Sequence, residues 1–340
     1  MALTPTLLQD AIVLINGGSF GDFEKRHDDY GALQAFGNNA EQLLSKSQIE
    51  NMKKSVVQTT KVPVVNRYSP SVITDPTCSI TGGRPTSAFA SLTYAFVGFE
   101  IQVIPEQNEA NYVTEAEDIA AQMAGGWRGL FENLDTKAVT ALETNKSTSL
   151  VTSSLKNVTT NAGNYDYAGD PLELFLNVPA LMKINSINGP YEDIANTEAM
   201  ATMARIDAFG VNNYYDAKGA IARNGSFRHY MTNRITAGDG NREAHYITPA
   251  GSIGVYNWVD YSAKQGFQAG NKKWDTMQDP MFGFDWRVYS VSDCVDDNAV
   301  SGNASAYGYK AQIGAWFAFL TQYHSSTASP IIKIARQDPA

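Results

Sequence analysis

One short run in this 340-residue chain has the form of a catalytic device: Gly17-Gly18-Ser19-Phe20-Gly21, a G-x-S-x-G pattern directly after the apolar stretch AIVLIN. In α/β-hydrolases that pattern sets a nucleophilic serine on a strained turn between a strand and a helix. Such an elbow follows several strands, whereas fewer than twenty residues precede Ser19, and the charged run DFEKRHDDY that follows has no apolar helical face. The run reads as a flexible Gly-rich turn, with a serine hydrolase using Ser19 kept as an alternative.

Other chemistry is sparse. His27, His229, His245 and His324 are scattered, and none has a second His or Cys at a ligating interval. Each reads as a solvated or internally satisfied side chain. Cys78 and Cys294 are the only cysteines, which excludes a disulfide framework and a zinc-type spacing. Asp28-Asp29 and Asp296-Asp297 are adjacent acids of the kind usually solvated in loops. No phosphate-binding glycine loop occurs, and AGDGNREAH, residues 237–245, reads as a hairpin or loop tip. The aromatic pieces YNWVDY and FGFDWRVY have strand spacing and read as core and interface. No catalytic residue, cofactor or metal site is assigned.

Charge narrows the partners. Net charge is −9 and the sequence pI is near 5.0, so phosphate backbones are repelled overall and sequence-specific nucleic-acid reading is disfavoured. Lys333 and Arg336 in SPIIKIARQ are too few for a nucleic-acid patch. The N-terminus lacks a basic signal region, and the apolar run 11–15 is too short to span a bilayer, so a protein without a membrane partner is expected. With only 18% charged residues, much of the polar surface is Asn, Thr, Ser, Gly and Tyr, groups that lose less than charges do when subunits meet.

The elements that would position any site come in a distinctive order. Residues 1–55 mix a short apolar run, a Gly-rich turn, a charged run and an amphipathic helix near 41–54, and read as an arm that needs another surface to lie on. SVVQTTKVPVVNRY and AFASLTYAFVGFEIQVIP then alternate as strands and suit a long two-stranded ribbon, with an irregular tip containing Pro70, Pro76, Gly82, Gly83 and Pro85. A ribbon with no third strand or helix beneath it is marginal in water.

The strongest helix signal follows. Thr114 with Glu117 forms a capping box, and Glu115, Glu117 and Asp118 complement the helix dipole. Ile119, Met123, Trp127, Leu130, Phe131, Leu134, Ala138, Ala141 and Leu142 recur at intervals of three and four, predicting a helix over 115–143 that is roughly 43 Å long. Gly125 and Gly126, beside Trp127, predict a bend or a close approach by another backbone. Beyond it come an apolar segment within 171–190, a second helix over 197–209 with Met200, Met203, Ile206 and Phe209 on one face and Asn196 as its cap, and then mainly strands. The fold class is α+β, with sheet contributed from both ends.

Taken together, KVPVVNRY, SAFASLTYAFVGFEIQVIP and TEAEDIAAQMAGGWRGLFENLDTKAVTAL resemble the major capsid protein of tailed bacteriophages, whose Hong Kong ninety-seven fold is shared with encapsulins. The layout covers nearly the whole chain, without a single diagnostic motif. The resemblance implies an N-terminal arm over 1–55, an extended loop over 56–113, a peripheral domain over 114–150 and 279–340 with a spine helix ending near Leu134-Asp135, and an axial domain over 151–278. It implies pentamers and hexamers in an icosahedral virion shell, made in the host cytoplasm, with a separate scaffolding protein, a portal, possible decoration proteins and packaged DNA bound without sequence specificity. An encapsulin compartment is the alternative. Lys61 is present, but nothing identifies a Lys–Asn crosslinking pair. Thr114, Glu117, Gly125, Gly126 and Trp127 are the expected structural or assembly residues.

Overall fold

A computed structural model of the chain describes residues 5–17, 29–56, 61–65, 87–105, 108, 114–152, 155–161, 163–204, 227–238, 241–279, 281–295, 306–322 and 329–336. Ser19, His27, Asp28, Cys78, Asp296, Asp297 and His324 lie outside them, as do the ribbon tip, Ile206 and Phe209. Three helices come first: α1 (Pro5–Asn16), α2 (Gly31–Leu43) and α3 (Lys46–Lys54), the last opened by a Ser45–Gln48 capping box. Strands β1 (Lys61–Val65) and β2 (Ser87–Ser91) pair antiparallel as a sheet of their own.

Strand β3 (Ala95–Val103) does not continue that ribbon. It is the edge of an antiparallel sheet ordered β10-β11-β12-β13-β3, in which β9 also pairs with β13. The members are β9 (Ile253–Trp258), β10 (Gln268–Ala269), β11 (Lys272–Gln278), β12 (Asp285–Val295) and β13 (Ala306–Thr321), with the short α6 (Tyr261–Lys264) after β9. The expected long ribbon is therefore only its outer half. From Ala95 onward, alternation buries Ile101 and Val103 against the protein's main core, which outweighs pairing within an unsupported hairpin.

Helix α4 (Glu115–Asn145) is continuous over 31 residues, about 46 Å, and passes Leu134-Asp135 without stopping. Its apolar stripe is buried as expected, except that Ala141 is only partly covered. Tyr309, Ala311, Ile313, Ala315 and Phe317 of β13, with Trp286 and Val288 of β12, complete the same core.

A second sheet takes the order β4-β5-β14-β8-β6-β7. It is built from β4 (Val158–Asn161), β5 (Asn164–Tyr167), β6 (Tyr191–Asn196), β7 (Phe227–Thr232), β8 (Glu243–Pro249) and β14 (Ile332–Arg336). Helix α5 (Pro171–Ile184) supplies Leu174, Val178, Leu181 and Met182 to its core.

Three further expectations change. Residues 5–16 and 31–43 do not wait for another surface: Leu8, Ala11 and Ile15 of α1, and Ala32, Leu33 and Phe36 of α2, are buried in the core that α4 anchors. Asn196 makes no cap, because its side chain accepts from the Ala244 amide at 3.2 Å and donates to the Arg242 carbonyl at 2.9 Å. A 3-10 turn (Thr197–Ala199) then leads into helix at 200–204, where Met203 is buried but Met200 is 54% exposed.

Candidate functional site at helix α4

The start of α4 is fixed as its sequence predicts. The Glu117 amide donates to Thr114 Oγ1 at 3.2 Å, and the Thr114 amide donates to Glu117 Oε2 at 2.9 Å. Those backbone and hydroxyl donors hold the Glu117 carboxyl below its ordinary range. Tyr309 of β13 donates to Glu115 Oε2 at 2.8 Å, so the first turn is also tied to an interior strand of the sheet.

More than two turns further, the glycines separate. Gly125 is exposed, with nothing within 4 Å of where a Cβ would stand, whereas a Cβ on Gly126 would collide with the ring of Phe99. The close approach exists, but a side chain of β3 makes it rather than a backbone. Trp127 sits fully buried beside it, edge-on to Phe99 at 5.2 Å and to Trp286 at 4.8 Å, and stacked on Phe131 at 5.8 Å. Its indole Nε1 has no hydrogen-bond partner. Gly126 and Trp127 thus belong to one packed joint between α4 and the ribbon root, while Thr114 and Glu117 stand at the helix start.

Sequence reading missed three fastenings. Asp135, fully buried on α4, accepts from the Leu33 amide at 2.8 Å and from the Thr232 hydroxyl at 2.5 Å, joining helix, N-terminal segment and second sheet. Burial raises its pKa against those donors. Gln122 clasps the edge of β3: its amide accepts from Gln102 N–H at 3.0 Å and donates to Gln102 C=O at 2.8 Å. Near the far end of α4, Lys146, Lys333 and Tyr246 all donate to Glu143, whose pKa falls to about 2 although partial burial opposes the shift.

The second sheet holds a buried ionic chain. Asp193 on β6 meets the Nδ1 atoms of His229 at 2.9 Å and His245 at 3.1 Å, and Arg336 forks onto Glu243 at 2.7 and 2.9 Å. Thr202 adds a third donor to Glu243 at 2.9 Å. Burial opposes ionisation here, but the paired charges and hydrogen bonds win: Asp193 and Glu243 fall to about 2 and His245 rises to about 9. Arg336 and Lys333 are therefore buried partners of Glu243 and Glu143, not a basic surface. Only Glu243 and His245, two apart on one strand, hinted at this locally; the rest comes together across β6, β7, β8 and β14.

Among the described residues no group of three His, Cys, Asp or Glu side chains could hold a metal ion, and no helix is long and apolar enough to cross a membrane. No family model matches the sequence, and no curated protein does. Solved structures align with most of its length. The capsid of the cyanophage P-SCSP1u aligns with 84% of this chain and 85% of its own, at 10% identity and a TM-score of 0.48. A structure from Mycobacterium phage Che8 aligns with 86% of this chain and 89% of its own, at 12% identity and a TM-score of 0.46. A virus-like particle from Pyrococcus furiosus aligns with 92% of this chain and 99% of its own, at 10% identity and a TM-score of 0.41. At these values no residue role passes from them to this chain.

Proposed function

We propose that this chain is the subunit of a closed protein shell, the major capsid protein of a tailed bacteriophage, with a structural rather than an enzymatic role. The observation that carries the reading is the β1–β2 ribbon, a two-stranded sheet outside both six-stranded sheets and joined to the rigid α4–β3 joint. A two-stranded ribbon gains stability by lying on something else, and in a shell that surface is the neighbouring subunit. Heterologous contacts of this kind close into rings, here pentamers and hexamers.

Grouped by sheet, α4 with β3 and β9–β13 forms the peripheral unit, and β4–β8 with β14 the axial unit. In this reading 253–278 go with the peripheral strands and 332–336 with the axial ones, in place of a division at 278. A net charge of −9 suits a wall that releases packaged DNA rather than trapping it. A separate scaffold, a portal and decoration proteins, virion location and synthesis in the host cytoplasm follow from the same reading.

Electron microscopy and sizing of the purified chain, with and without co-expressed scaffold, test it. Rings or shells are expected, and a protein that stays monomeric at every concentration overturns the reading.

A further inference from the structure

The outer edge of β3 is open. Gln102 turns its N–H and C=O away from β13, where Gln122 takes both. Alternation along an antiparallel ladder turns those of Phe96, Gly98 and Glu100 the same way. These groups have no partner among the described residues. They form a row about 13 Å long, with Phe96 itself 41% exposed.

Folded proteins blunt such edges with lysine, proline or a covering segment. AFVGFE, residues 95–100, contains neither residue, and its one charge is engaged, with Gln312 donating to Glu100 Oε1 at 3.1 Å. The other side of the same sheet is guarded: Trp274 N–H donates to the Phe267 carbonyl at 2.8 Å and Thr276 N–H to Asp275 Oδ1 at 2.9 Å. One face of the same sheet carries a depression of about 720 Å³ that runs from Gln102 of β3 across Lys310 and Gln312 of β13 to Arg287 of β12, with Gln122 at its margin. A row of alternating donors and acceptors next to polar side chains selects an extended strand.

We propose that β2 of a second copy of this chain adds to the outer edge of β3, an inference that rests on the shell reading. Strand β2, SAFAS, has no charge and a full set of backbone donors, and among the described residues its strand partner is β1, where Pro63 has no N–H. Only Leu92–Tyr94 separate β2 from β3, yet the two do not pair within the chain. Leu92 is 3% exposed, seated with Ala40, Leu44, Met52, Tyr256 and Leu320, which fixes where the ribbon leaves its own subunit. Adding β2 to a neighbour's β3 gives the ribbon a large sheet to extend and satisfies the free edge in one contact.

The test compares Glu100→Pro with Glu100→Ala in the full chain. Proline removes the outward N–H at an edge position, where it is tolerated, and alanine keeps it. The alanine variant is expected to assemble as wild type does, and the proline variant to need about tenfold more protein or more. Assembly of the proline variant at the wild-type concentration, or equal failure of both variants, overturns the proposal. Hydrogen exchange on the unmodified protein gives a second reading that does not depend on the variants folding. On assembly, the amides of Phe96, Gly98 and Glu100 gain protection together with amides of 87–91. Protection of β3 without 87–91 means that another strand sits there and overturns the pairing. A chain that assembles with β3 unprotected overturns this inference alone, whereas a chain that never self-associates overturns the shell reading with it.

Discussion

The ring of Phe99 occupies the space into which Gly126 would extend a Cβ, so β3 meets α4 where the helix has no side chain. This makes the joint a matter of folding within one subunit. Gly126→Val is expected to destabilise by about 1–3 kcal/mol through overpacking. Gly125→Ala, with open space around it, is expected to stabilise by about 0.5–1 kcal/mol through helix propensity. Guanidinium unfolding of the two variants measures this, and similar effects from both would show that Phe99 does not set the difference.

Trp127 contributes ring contacts without a hydrogen bond, since its Nε1 is buried and unpartnered. Trp127→Ala is expected to lose about 3–5 kcal/mol. Trp127→Phe keeps most of the apolar contact and removes the unsatisfied donor, so its loss should be less than half as large. Thermal unfolding compares them, and equal losses would mean that the indole nitrogen has a partner.

Asp135 fastens three separate segments through Leu33 and Thr232. Asp135→Ala orphans both donors in the core, with an expected loss of about 3 kcal/mol. Asp135→Asn retains an acceptor of the same size and should recover part of it. Near-UV circular dichroism checks that the aromatic core persists in both variants.

The buried ionic chain gives stability a plateau in pH. Asp193 and Glu243, lowered to about 2 from ordinary values of 3.8 and 4.5, contribute stability above those ordinary values that disappears as pH falls towards 2. His245, raised to about 9 from 6.5, contributes stability below 6.5 that disappears as pH rises through 9. Asp135 works in the opposite sense on the acid side, because its raised carboxyl subtracts stability as pH climbs above the usual carboxylate range. Denaturant midpoints should be highest between about pH 4.5 and 6.5 and fall on both sides. Asp193→Asn should weaken the dependence at both ends, and an unchanged profile in that variant would exclude the network as its source.

How much of this was legible in the sequence depends on the range of the forces. The capping box and apolar stripe of α4 are local, and both were readable. So was the strand character of β8, β9, β12, β13 and β14. The destination of β3 was not, because alternation at Phe99, Ile101 and Val103 says which side of a strand is apolar but not which sheet receives it. The same limit hid Asp135 and Asp193: each is one acid among many until distant strands converge on it. The burial of α1 and α2 was missed for a related reason, since short apolar runs do not reveal which core they complete.

Both large sheets have a strand from 306–336 in their interior: β13 lies between β3 and β12, and β14 lies between β5 and β8. While the chain is being synthesised, neither sheet can close until these segments have emerged, because β3, β9 and β12 are joined through β13, and β5 and β8 through β14. The high sequence separation of these pairings also slows closure. A nascent chain lacking 306–336 therefore has neither sheet complete. Ribosome-stalled chains ending before 306 should therefore be fully sensitive to protease, and resistance should appear only once β14 is free of the exit tunnel.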